Sequence, residues 1–164
     1  MSQIPQKFKP IPFRFRTKLA CEIVDMDPLR LNEAIAAKDG YKCAPETTPG
    51  RAREFGEFDI IALFIFKFLT NLGYPQNLAS MYACGVLEAL SSHYMTLPER
   101  FDFPLNPFPD TAVACTAEDP TTFAHSDNLV SYATIGFNIP LLRKEIQTRM
   151  KAIAERESNV FGDE

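Results

Sequence analysis

Three side chains able to pair with the edges of nucleobases stand within four residues of one another: Arg30, Asn32 and Glu33. The arginine fork fits guanine O6 and N7, asparagine fits adenine N6 and N7, and glutamate accepts from cytosine N4. Ala36 and Ala37 come after them, leaving room for close approach or for a thymine methyl group. A second set lies further along, Lys42, Thr47, Thr48, Arg51 and Arg53. These are cations and hydroxyls suited to phosphate oxygens, contacts that fix register and carry no base information. Arg51 and Arg53 are two apart and would share one face of a strand. A plain solvated helix would also show Arg, Asn and Glu, and a solvated hairpin would show the same arginines. Arg53 is also placed to bond the hairpin or the helices beneath it.

The elements that must hold these groups are written from residue 17 to residue 55. Leu19, Ala20, Ile23 and Val24 recur at the spacing of one helical face. Asp27-Pro28 is a helix start, with Asp as N-cap and Pro in the first turn, where its missing N–H costs nothing. The second helix buries Leu31, Ala34 and Ile35 and stops at Gly40. Leu29, Glu33 and Ala36 then point away from the buried face, with Arg30 and Asn32 on its flanks. About three connecting residues favour a steep helix-turn-helix crossing. Residues 41–44 and 51–55 are strand candidates joined by the turn-rich stretch 45–50, which predicts a hairpin wing.

The order of Thr17, Leu19, Ala20, Pro28, Leu31, Ile35, Gly40-Tyr41, Pro49-Gly50, Arg53, Phe55 and Asp59-Ile60 resembles the winged helix-turn-helix of the MerR-type transcription regulators. The likeness spans residues 15–90. It implies a bacterial, sequence-specific regulator binding double-stranded DNA, with helix 28–38 in the major groove and wing 42–53 on the phosphate backbone. Thr17 and Lys18, at the start of the first helix, join Arg30, Asn32, Glu33, Lys42, Thr47, Thr48, Arg51 and Arg53 as the implied DNA-binding set. A homodimer is expected, because a two-fold pair doubles the DNA surface buried on a palindrome. The long coiled coil of that family is replaced here by a proline-rich stretch and a strand–helix module.

Charge is distributed in keeping with that expectation. The 164 residues carry a net charge of −4, yet residues 1–56 hold ten Lys/Arg against seven Asp/Glu, and residues 57–164 hold seven against fourteen. The basic half coincides with the DNA-reading half. The four cysteines at 21, 43, 84 and 115 form no CxxC or CxxH pair, which predicts free thiols in a reducing cytosol and no metal site. No signal peptide is recognisable, and the apolar run 60–69 contains Lys67 and is far too short to span a bilayer. The expectation is a cytoplasmic, nucleoid-associated protein with no membrane partner. Gly-rich phosphate loops, G-x-S-x-G and HExxH patterns are all missing, so neither enzyme activity nor a cofactor is expected.

The whole chain predicts a mainly α protein with a small β component. Residues 1–16 form an extended basic arm, tracking phosphates or packing through Phe8, Phe13 and Phe15. Residues 17–56 are the winged unit, and 57–92 are a helical segment packed on it. In that segment 60–69 is apolar nearly all round and must be covered on several sides. Ala79, Ala83 and Gly85 allow a fourth helix to approach closely. Residues 93–164 form a C-terminal module. Within it, 91–110 reads as a boundary loop, and 111–116 and 129–138 read as pairing strands. Residues 140–157 read as a helix whose apolar seam is Ile139, Leu142, Ile146, Met150 and Ile153, packed internally or at a dimer contact. Two other functions fit the sequence: an interaction module for RNA polymerase or another regulator with weak DNA affinity, and a small-molecule sensor with a C-terminal pocket.

Overall fold

The computed structural model describes residues 10–92, 100–105 and 133–160. In chain order the elements are β1 (Phe15–Arg16), α1 (Thr17–Val24), α2 (Pro28–Ala36), β2 (Glu54–Phe55), α3 (Glu57–Asn71), α4 (Gln76–Ser92), β3 (Arg100–Leu105), β4 (Ala133–Asn138) and α5 (Ile139–Val160). Among the described residues the protein is mainly helical, with two small antiparallel sheets, β1–β2 and β3–β4.

The hairpin expected between 41–44 and 51–55 is not formed. Residues 41–44 make no strand; Glu54–Phe55 pairs instead with Phe15–Arg16, in the register Phe15↔Phe55 and Arg16↔Glu54. Burial explains the exchange, because Phe15 and Phe55 are both sealed in the core, and pairing their strands closes the ladder between them. The arm is without helix at residues 10–14 and a strand at its end; Phe15 is buried while Phe13 is exposed.

Helix α3 is covered on several sides, as its composition requires, with Phe68 left exposed on the remaining stripe. Ile60, Ile61, Ala62, Leu63, Ile65, Phe66 and Leu69 are buried, against α4, α1 and α5. Ala79 and Ala83 of α4 are buried as expected, but Gly85 is not at the contact, since a Cβ there would meet nothing within 4 Å. The expected loop 91–110 holds part of α4 and the strand β3. That strand pairs with β4, which lies within the expected strand 129–138; its expected partner 111–116 and residues 129–132 lie outside the described residues. Phe137 packs edge-on against Phe68, with ring centroids 5.5 Å apart.

The α5 seam is taken up within the chain. Ile139, Ile146, Met150 and Ile153 are buried and Leu142 is half-buried, with α1 and α3 as the neighbouring helices. Three polar links reinforce this docking. Arg149 donates to the Ile23 carbonyl at 3.0 Å, at the end of α1. Arg156 forms a two-pronged pair with Glu22. Glu57, only 1% exposed, accepts from Arg143 Nε, from Gln147 Nε2 at 2.9 Å and from the Ile11 N–H at 2.7 Å.

Removing one partner of a buried pair leaves the other charge uncompensated and costs about 3–5 kcal/mol. Glu57→Ala therefore lowers the denaturant midpoint by that equivalent with an unchanged slope, and a loss below about 1 kcal/mol would contradict the assignment. The Glu22 carboxyl is held below the usual carboxylate range, chiefly by its hydrogen bond from Arg156. Its contribution is present above the ordinary glutamate range and is lost as pH falls through the lowered folded value. Thermal unfolding of Glu22→Gln is expected to converge on the parent in acid and to fall below it near neutrality.

Candidate nucleic-acid interface

Helix α2 begins as its sequence demands. Asp27 Oδ1 accepts the Leu29 N–H at 2.9 Å, and Pro28 occupies the first turn. Asp25 takes the left-handed conformation, φ 56°, that ends α1 and turns the chain into α2. Leu31 and Ala34 are buried, while Leu29 (63%), Arg30, Asn32, Glu33 and Ala36 are exposed. The polar side of the helix thus faces outward. It ends at Ala36 with Ala37 extended, short of the expected Gly40.

Glycine is required at position 40 for a different reason. A Cβ there would stand 1.8 Å from the Ala34 carbonyl oxygen, and the adjacent Tyr41 N–H donates to that same oxygen at 2.8 Å. The Tyr41 ring then packs on Phe66, with centroids 4.6 Å apart. This close passage is the root from which the loop 42–53 leaves the core.

Two of the expected phosphate contacts serve the loop itself. Lys42 Nζ donates to the Ala37 carbonyl at 2.7 Å, and Arg53 donates to the Pro45 carbonyl. Thr47, Thr48 and Arg51 are exposed, and the Arg51 N–H closes a turn on Thr48 O at 3.0 Å, with Gly50 at φ 80°. Lys18 is exposed and Thr17 half-buried at the start of α1.

The β1–β2 pairing brings in two residues that the implied DNA-binding set omits. Arg14 and Arg16 flank buried Phe15 and line a cleft of about 520 Å³ with Thr48, Arg51, Glu46 and Glu54. Three guanidinium groups from segments almost forty residues apart meet there, outnumbering two carboxylates. The signal is local: an alternating Arg-Phe-Arg triplet, polar on one side of a strand and apolar on the other. Arg14 also lies near Asp59, whose carboxyl is pushed up by burial, with the Gly56 N–H bond and Arg14 opposing.

The cleft at α2 itself is less basic. A cleft of about 430 Å³ is lined by Arg30, Glu33, Asp25, Asp27 and Lys67, so three carboxylates surround two cations beside the exposed helix face.

The cysteines correct another expectation. Cys43, in the loop, is disulfide-bonded to Cys84 of α4, with Cα atoms 5.5 Å apart. The Ser80 hydroxyl accepts the Lys42 N–H at 3.0 Å and lies 3.6 Å from the Cys84 sulfur. Spacing could not reveal this pair, because a chain reversal through α3 brings the two together. Cys21 is a free, fully buried thiol, pushed up to about 11 by burial and then by Asp27. Cys115 lies outside the described residues.

Among the described residues no helix is long and apolar enough to cross a membrane. Comparison with family models, curated proteins and solved structures gives no match. The Gly40 passage is directly testable: Gly40→Ala must displace the Ala34 carbonyl, and overpacking of this kind costs about 1–3 kcal/mol in chemical unfolding.

Proposed function

We propose that the chain is a sequence-specific regulator that binds double-stranded DNA through a MerR-like winged helix-turn-helix. Helices α1 and α2 are the helix-turn-helix, and the loop 42–53 is the wing. Arg30, Asn32 and Glu33 face base edges in the major groove, and Leu29 and Ala36 fill the space between them. The phosphates lie on the other set, Arg14, Arg16, Thr48 and Arg51, with Thr47, Thr17 and Lys18 at its margins. Lys42 and Arg53 hold the loop in shape through their carbonyl bonds.

One observation carries this reading: the apolar side of α2 is sealed by Leu31 and Ala34 while its polar side stays open, and the same chain gathers Arg14, Arg16 and Arg51 around a separate cleft. An ordinary surface helix accounts for the first half of that arrangement but not for the second. A two-fold dimer would double the contact on a palindrome. Its seam must be a surface other than the apolar stripe of α5, which the chain itself covers.

A second reading is favoured by the carboxylates of Asp25, Asp27 and Glu33 around Arg30. They would repel phosphates and would suit a basic segment of a protein partner such as RNA polymerase.

Salt dependence separates the two. A phosphate-bound reader loses affinity linearly on a log–log plot, with a slope of about −0.9 per phosphate neutralised. Arg14→Ala, Arg16→Ala and Arg51→Ala should each reduce that slope by about 0.9 in fluorescence anisotropy with genomic duplex fragments. Lys42→Ala and Arg53→Ala should act mainly on thermal stability. An unchanged slope in all three arginine variants would remove the wing and arm from the interface.

A further inference from the structure

The loop that carries Thr48 and Arg51 has few ties to the rest of the molecule. At its root Tyr41 is buried and the Lys42 N–H reaches Ser80. At its far end β2 joins β1. Between these ends the described hydrogen bonds of residues 45–52 remain inside the loop, Arg51 to Thr48 and Arg53 to Pro45. The covalent tie is Cys43–Cys84, which fastens the loop root to α4.

Both bridged cysteines are half-buried, whereas Cys21 is completely sealed. A small reductant can therefore reach the bridge without the core opening. The Ser80 hydroxyl, 3.6 Å from the Cys84 sulfur, donates to it when bridged and remains in place for the released sulfur. Because Tyr41 and the Lys42–Ser80 bond do not involve the bridge, its loss leaves the root seated and frees only residues 43–53.

We propose that the Cys43–Cys84 bridge is a reversible thiol switch that sets the order of the loop 43–53, and with it the grip of Thr48 and Arg51 on phosphate. The second half of that statement rests on the DNA-binding reading; the first does not. The reductant is a small or protein dithiol. Its thiolate attacks one sulfur, the Cys43–Cys84 bond breaks and a mixed disulfide forms. The second thiol of the reductant then displaces the remaining sulfur. Two electrons and two protons end on Cys43 and Cys84 as thiols, and the dithiol leaves as its own disulfide. Oxidation by a disulfide reverses each step.

The test uses the full chain, oxidised and then held reduced in dithiothreitol. Peptide mapping should place a 43–84 crosslink in the oxidised sample, and hydrogen exchange should track both forms. Amides of 43–53 should exchange at least tenfold faster when reduced, with α1, α2 and α3 unchanged, and protection should return on reoxidation. The double variant Cys43→Ser, Cys84→Ser should match the reduced form in either buffer. Equal exchange in the two forms, or a bridge that fails to form, would overturn the switch. Loss of protection across α1 to α3 would assign the bridge a purely structural role and overturn it equally. Duplex affinity should fall about tenfold on reduction; equal affinity of the two forms would overturn the coupling. If neither form binds DNA, the DNA-binding reading fails while the exchange result still decides the switch.

Discussion

A single carboxylate with almost no access to water determines how the parts of this molecule are assembled. Glu57 stands in the first turn of α3, yet its partners come from the arm, through Ile11, and from α5, through Arg143 and Gln147. Burying a carboxylate without partners is expensive, so the arrangement is stable only when all three segments are present together. The acid also sits at a helix N-terminus, where the macrodipole favours negative charge. The arm is thereby fixed a few residues before Phe15, and its strand is delivered to Glu54–Phe55 in one register.

That anchoring sets up the candidate interface. Arg14 and Arg16 reach the loop because Phe15 is locked beneath them, and the loop is held by Gly40, Tyr41 and the Cys43–Cys84 bridge on its other side. The exposed face of α2 is set independently, by the Asp27 cap and the burial of Leu31 and Ala34. Two separate devices thus present two chemically distinct surfaces. One is mixed in charge and the other mainly basic.

Much of the helical frame is legible in the residues. Asp27-Pro28 marks the start of α2, the apolar run after Asp59 marks a helix covered on several sides, and the spacing from Ile139 to Ile153 marks α5. These signals are periodic and local, which is what a helix requires. The strand partners are not legible, because two-residue strands carry no period and β2 takes its partner from beyond α1 and α2. Likewise Arg14 and Arg16 stand out in the sequence only as part of a basic arm, since their meeting with Arg51 depends on that non-local pairing. Gly85 shows the converse limit: a small residue in a helix suggests close packing, but only the neighbours decide whether anything approaches. The exposed set Arg30, Asn32 and Glu33 can be read directly from the helical projection, though the second cation beside it, Lys67, joins the cleft only when α3 brings its far end alongside.

Arg149 reaches across from α5 to the last turn of α1 and satisfies the Ile23 carbonyl there. The first helix of the candidate reader is therefore finished by a residue from the far end of the chain. A fragment ending after α4 would bare one flank of α3 together with the tail of α1, and would lose two of the three partners of Glu57. The segment from the arm to α4 is not a portable cassette; whatever it recognises, it recognises as part of the whole polypeptide.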